Sequence, residues 1–238
     1  MGETDTVDGV SITVSNPRVR YAVPVAGAHV LPLTTDVGQW VVVDVTVDGS
    51  RPERLDDRFS YAVDGRGVRK SEPQSTADGA FGVPFPVGDH DTAAVRWTPD
   101  AETAVDWRLP DAVRERLAAV PRFRVESFES RLRDGQRVVE LAVHNDGGRD
   151  GQFLGRLSFE GFSGGDLLSF GVPAGESNRY SGRPGSVVTY FENSGGRTFT
   201  LQYPGPAGMD YAEHTVAAST ETGSPASTAT ETPTVADQ

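Results

Sequence analysis

The clearest alternation in the chain runs from Gly38 to Val47, Gly-Gln-Trp-Val-Val-Val-Asp-Val-Thr-Val. In extended backbone, Val41, Val43, Val45 and Val47 fall on one side, and Trp40, Val42, Asp44 and Thr46 on the other. One face is wholly apolar, while the other starts apolar and ends polar. Valine and tryptophan suit a pleated, packed surface, so the stretch predicts a central strand of a two-layer β domain. Upstream, Val10, Ile12 and Val14 alternate with Ser11, Thr13 and Ser15. Pro17 interrupts, Val19 and Tyr21 continue to Pro24, and Val25–Asp36 reads as a loop. Downstream, Asp48-Gly49 is a turn pair, and Phe59, Tyr61 and Val63 alternate as far as the hairpin-type turn Asp64-Gly65-Arg66-Gly67. Phe81–Gly88 reads as an extended edge strand because Pro84 and Pro86 each remove a ladder donor. Ala93–Thr98 and Thr103–Leu109, carrying Trp97 and Trp107, add two more short strands. About seven short strands separated by turns predict a sandwich.

Between Pro110 and Val120 the period changes. Leu109, Val113, Leu117 and Val120 recur at helical spacing, Asp111 suits a helix N-terminus, and Pro121 stops the run. This predicts one short amphipathic helix packed across or between two β domains, acting as a spacer. From Arg122 the β pattern returns. Phe123, Val125 and Phe128 lead to the turn Asp134-Gly135, and Val139, Leu141 and Val143 alternate with Glu140, Ala142 and His144. The loop Asn145–Gly151 follows, then Phe153, Leu157 and Phe159, then Leu168, Phe170 and Val172. Val187–Phe191 and Phe199–Tyr203 are read as further strands, and a last strand as Tyr211–Val216. Residues Ala217–Gln238 are Ser, Thr, Ala, Pro and Glu without an aromatic residue, a composition expected to stay disordered. The fold class expected is therefore all-β: two immunoglobulin-like sandwiches in tandem at 7–109 and 122–216, a short helical linker at 110–121, and a disordered tail at 217–238.

Charge narrows the setting. In 238 residues, 34 acidic and 22 basic side chains give a net charge of −12. Only Lys70 among the basic residues is a lysine. Such a balance repels nucleic acid and anionic membranes. The arginine bias fits a GC-rich genome, and the excess of carboxylates points further, to a halophilic host whose proteins stay hydrated in concentrated salt. With no cysteine, disulfides, thiolate catalysis, zinc–thiolate sites and blue-copper centres are excluded. No apolar run of about 18 residues could span a membrane. The polar start Met-Gly-Glu-Thr-Asp-Thr shows no signal peptide. That leaves a cytoplasmic protein or one whose export signal lies upstream, and the stalk-like composition of 217–238 favours the second. No asparagine opens a glycosylation sequon.

Two resemblances rest on these stretches. Gly38–Val47, Phe59–Gly65, the strand around Gly79–Pro86 and Asp106-Trp107-Arg108-Leu109 resemble the telokin-like immunoglobulin-fold domain of bacterial and archaeal extracellular lipoproteins. Val139–Val143, the loop Asn145-Asp146-Gly147-Gly148-Arg149-Asp150-Gly151-Gln152-Phe153, and Val172-Pro173-Ala174-Gly175-Glu176 resemble the CARDB type of surface domain. The span Gly161–Val187 is less regular than that second family. Both resemblances imply a fold and a location, and the first family shares no enzymatic activity.

Chemistry-bearing residues are sparse. His29, His90, His144 and His214 lack ligand spacing, so a metal site would have to be assembled by the fold. Asp146, Asp150 and Gly151 resemble the front of a calcium loop, but Leu157 stands where the bidentate Glu belongs, which favours a turn. His90 beside Asp89 and Asp91, with Asp36 in the same domain, could be drawn as a triad, yet no Gly-X-Ser-X-Gly elbow supports it. Gly161–Gly165 lacks the lysine of a phosphate loop. Trp40, Trp97 and Trp107 could form a sugar-stacking platform, although their apolar strands make them core anchors. No residue is therefore assigned a catalytic, cofactor-binding or metal role, no cofactor is expected, and the binding residues stay open. The function expected is a non-enzymatic cell-surface or secreted structural and binding protein of a halophilic archaeon. It would present loops and edge strands to a protein or glycan partner, not to nucleic acid. The alternative is an accessory domain pair that binds a small ligand or assists an envelope enzyme or transporter.

Overall fold

A computed structural model describes residues 1–26, 30–50, 55–68, 72–100, 102–205 and 208–216. The expected tail 217–238 and His29 lie outside the described residues.

The first sandwich begins with β1 (Thr4–Val7) and β2 (Val10–Arg20). Asp8 and Gly9 turn this hairpin at positive φ, the twist that a two-residue hairpin needs. There follow β3 (Val23–Val25), β4 (Leu31–Leu33), β5 (Gly38–Asp48), β6 (Phe59–Val63), β7 (Arg66–Gly67), β8 (Gln74–Ser75), β9 (Phe81–Pro86), β10 (Ala93–Trp97) and β11 (Val105–Arg108). One sheet has the order β1-β2-β5-β9-β8 and the other β11-β10-β6-β7. Chain neighbours β5 and β6 lie in different sheets, as do β9 and β10, which is the Greek-key crossing of an immunoglobulin-like sandwich.

The predicted central strand is central, and both of its faces are explained. Val41 and Val43 are fully buried between the sheets. On the reverse face, Trp40 and Val42 pack with Val23 and Ala80 in a separate small cluster, beneath a ribbon formed by β3 and β4. Val25 and Leu31–Leu33, within the expected loop Val25–Asp36, are thus part of a cover. Where the ribbon ends the face turns polar, and Asp44 accepts from Arg18 at 3.0 Å and from Asn16 at 2.8 Å. Pro17 sits in a bulge between Ser15 and Arg18, with Asn16 at φ 49. The bulge lets β2 continue past a residue that cannot donate to the ladder. The expectation for Phe81–Pro86 needs adjusting. β9 has neighbours on both sides, but β8 pairs only with Phe81 and Gly82, so Pro84 and Pro86 lie beyond its reach.

The linker is shorter as a helix than its period suggests. α1 spans Asp111–Glu115, and a 3-10 turn takes over at Arg116–Ala118. Pro110 starts it and no side chain caps it. Leu117 is fully buried in the core of the first sandwich beside Leu109, so the linker belongs to that domain.

The second sandwich comprises β12 (Phe123–Arg133), β13 (Gln136–Asn145), β14 (Gly151–Phe159), β15 (Asp166–Val172), β16 (Ser177–Gly182), the helix α2 (Gly185–Ser194), β17 (Thr198–Gly205) and β18 (Gly208–Thr215). Its sheets run β12-β13-β16 and β15-β14-β17-β18. Edge strand β16, Ser-Asn-Arg-Tyr-Ser-Gly, is mostly exposed and carries almost no hydrophobic signal.

One expectation is overturned. Val187–Phe191 is not a strand but the middle of α2, with Val187, Val188 and Phe191 buried on one face. The β-branched and aromatic residues favour a strand locally, and no local side chain caps the helix. The cap comes from β15 instead: Asp166 accepts the Val187 N–H at 2.9 Å and the Ser186 hydroxyl at 3.0 Å. At the other end Gly195 takes the left-handed conformation, φ 68, and donates to the Phe191 carbonyl. Phe191 then stacks on Phe199 with ring centroids 3.9 Å apart. Tertiary capping and packing decide the conformation here. Among the described residues, no helix is long and apolar enough to cross a membrane.

Candidate functional site between the two sandwiches

The two sandwiches are joined by more than the linker. Tyr21, at the end of β2, donates its hydroxyl to the Gly205 carbonyl at 3.0 Å and meets Phe123 edge-on. This first-domain residue packs against the second core, and burial raises its phenol pKa. Strand β4 of the covering ribbon touches both β14 and β17.

The polar centre of the junction is a latch. Gln39 is fully buried at the end of the first core. Its Nε2 donates to the Leu117 carbonyl at 2.9 Å, and its Oε1 accepts from Arg149 Nη2 at 2.7 Å. Arg149 also donates from Nε to the Ala119 carbonyl at 2.7 Å and from Nη1 to the Asp150 carbonyl at 3.1 Å. One guanidinium therefore ties the second sandwich to β5 and to the linker. Its pKa is lowered to about 10, first by burial and then by the nearby Arg116 and Arg20. It stays charged at neutral pH, and each of its three nitrogens donates to a neutral acceptor.

The loop Asn145–Gly151 is built to hold that arginine in place. Asn145 is fully buried. Its Oδ1 accepts from the N–H groups of Arg122 and Gly147, each at 3.0 Å, and its Nδ2 donates to the carbonyls of Arg149 and Val172 at 2.8 and 3.0 Å. A Cβ on Gly147 would stand 2.4 Å from the Val120 carbonyl oxygen and 2.6 Å from Pro121 Cα. Only glycine lets the loop lie so close against the linker. The residues that resemble a calcium loop are therefore a docking loop. Asp146 lies on Arg124 and His144, and Asp150 accepts the Ala174 N–H. Among the described residues, no group of three potential ligands could hold a metal ion.

Beside the latch the sandwiches leave a cleft of about 320 Å³. The first domain lines it with Arg18, Arg20, Val23, Val42 and Asp78, and the second with Gln152, Leu154, Leu167 and Ser169. Arg18 and Arg20 share one side of β2, since Val19 between them points into the core. Arg18 is partnered by Asp44. Arg20 pairs with Trp40 in the ladder, but its half-buried guanidinium makes no hydrogen bond or ion pair with any described residue. Burial lowers its pKa, helped by the like charges of Arg18 and Arg116, while Asp78 acts in the opposite direction. The Asp78 carboxyl is held below its ordinary value, chiefly by the Thr76 hydroxyl. Gln152 gives its amide N–H to Ser169 at 2.7 Å. Local pattern carries little of this, because Arg20 and Leu154 lie in different domains.

The residues weighed from sequence are dispersed. The three tryptophans are core anchors, each at most 2 % exposed. His90 pairs with Asp64, Nδ1 to Oδ2 at 3.3 Å, and not with Asp89, Asp91 or Asp36. His214 lies edge-on to Phe128. His144 is the unanticipated case, for it lies between Ser177 and Asp146. Its Nδ1 is 2.9 Å from Ser177 Oγ and its Nε2 is 3.1 Å from Asp146 Oδ1. The order resembles a Ser-His-Asp triad, but the proton is committed elsewhere. Glu126, re-aimed by the bulge between Val125 and Ser127, lies 2.9 Å from Ser177 Oγ and accepts its hydroxyl. With the Ser177 O–H directed at the Glu126 carboxylate, the serine oxygen is left to accept from His144, so the array ties β12, β13 and β16 together. A wider depression of about 430 Å³ on the outer face of these strands carries Arg131 and Arg133. Both are paired with Glu140, and Arg179 and Glu129 complete its charged lining.

No protein-family model, curated protein or solved structure matches the chain.

Proposed function

We propose that the chain is a non-enzymatic, cell-surface or secreted binding and structural protein of a halophilic archaeon, with a protein or glycan of the envelope as its partner. The observation that carries this reading is the latch. Gln39, Arg149 and Asn145 spend buried hydrogen bonds on holding two sandwiches in one orientation, which is useful where a composite surface must meet a partner without losing entropy on binding. Supporting the setting are the charge of −12, a basic complement that is nearly all arginine, and the absence of cysteine. A resemblance of the two halves to telokin-like and CARDB-type domains points the same way, as an argument from fold and not from a site.

The test is an affinity capture from native envelope at high salt, with the intact chain as bait and an Arg149→Ala chain as control. A specific protein or glycan retained by the first and lost from the second is the expected result. Capture that is equal with both chains would count against the rigid composite surface. The enzymatic alternative has its own assay: ester hydrolysis above buffer that disappears in His144→Ala would overturn the non-enzymatic reading.

A further inference from the structure

We propose that the cleft between the sandwiches binds a small organic monocarboxylate, its charged end on Arg20 and its apolar body against Val23, Val42, Leu154 and Leu167. This goes beyond the surface role above and depends neither on where the protein resides nor on which macromolecule it meets.

Four features select this ligand. First, Arg20 is half-buried, faces the cleft and makes no ion pair with any described residue. A desolvated guanidinium without an acceptor is costly, and its planar fork fits a carboxylate. Second, the charge around it is unevenly matched: Arg18 and Arg116 lower the stability of its charged form, and only Asp78 favours it. Bringing one negative charge relieves both effects. Third, Asp78 also lines the cleft. A dianionic phosphate or sulfate would face its carboxylate, whereas a monoanion leaves the total near balance. Fourth, the remaining walls are mostly aliphatic, and about 320 Å³ is at the small end of ligand pockets, roughly 300–1,000 Å³. That favours a short apolar body over a chain or a sugar polymer. The latch fixes the separation of the two walls, so the site is formed before the ligand arrives.

The experiment is a calorimetric titration of the intact chain with hexanoate, compared with hexanamide and with inorganic sulfate. Saturable hexanoate binding is expected, with hexanamide about tenfold weaker or more because it lacks the charge that pairs with Arg20. Arg20→Gln should weaken hexanoate by the same factor, while Arg133→Gln, outside the cleft, should leave it unchanged. Methyl resonances of Leu154 and Leu167 in the unaltered chain should move along the same isotherm, which keeps the idea testable even if the Arg20 variant folds poorly. No saturable binding, equal binding of amide and acid, sulfate as effective as hexanoate, or methyl shifts confined to other parts of the protein would each overturn it.

Discussion

Arg20 is close enough to Arg149 to help lower its pKa, yet the two lead opposite lives. Arg149 is surrounded by acceptors: a glutamine side chain and two carbonyls take its donors, and a buried asparagine fixes the loop that carries it. Arg20 faces a cleft and has no such partner among the described residues. The two differ in what the fold supplies to them. A guanidinium held by three protein acceptors ties the protein together, while one left facing a bounded space keeps its binding capacity for something else. Natural sites are often locally unfavourable for this reason, and the cost is borne by better-satisfied regions.

That contrast can be broken by mutation. The largest effect is expected for Asn145→Ala, which removes the acceptor of two N–H groups and the donor to two carbonyls in a buried position. A loss of roughly 3 kcal/mol in urea unfolding is expected, and a loss below about 1 kcal/mol would mean that the loop is held by its glycines alone. Arg149→Ala should cost about 2 kcal/mol, charge-assisted hydrogen bonds being worth somewhat more than neutral ones. It should also loosen the domains, visible as a larger radius of gyration in small-angle scattering. A double-mutant cycle with Gln39→Leu should return a coupling of about 1 kcal/mol. Arg20→Gln should do the reverse of Arg149→Ala, leaving stability within about 0.5 kcal/mol of the parent or slightly above it. A clear destabilisation there would show Arg20 to be structural and remove the contrast.

The smallest effect concerns Asp78. Its carboxyl is held below its ordinary value, first by the Thr76 hydroxyl, so the folded state prefers the ionised form. As pH falls below about 4 the unfolded chain binds the proton first. The Asp78 contribution is thus complete above that value and fades as pH drops through the lower folded one. Between about pH 6 and about pH 3, the urea midpoint of the parent should fall slightly further than that of Asp78→Asn.

The sequence reads best where one strand meets one sheet. Period-two alternation at Val10–Val14, Gly38–Val47, Phe59–Val63 and Val139–Val143 comes from burial of a single face, and that burial follows from each residue and its second neighbour. It reads poorly where the partner is remote. Val187–Phe191 carries strand-forming residues and becomes a helix because Asp166 supplies its cap and Phe159 and Phe199 its bed. Pro184 before it and Gly195-Gly196 after it were the available signals. Strand β16 is polar because it forms an edge, so periodicity is nearly silent there. The cleft is harder still, since Arg18 and Arg20 look from sequence like two more exposed arginines on a strand.

The sequence by itself determined an all-β chain, its principal turns, the tryptophan and valine core of the first sandwich, and a change of period at the linker. These rest on local sterics and on which face of an element is apolar, and both are written in consecutive residues. Tertiary structure decided which arginine is satisfied, why Gly147 must be glycine, and where a helix replaces a strand. Each of those depends on the distance between groups far apart in the chain, and free energies of desolvation and hydrogen bonding are set by that distance.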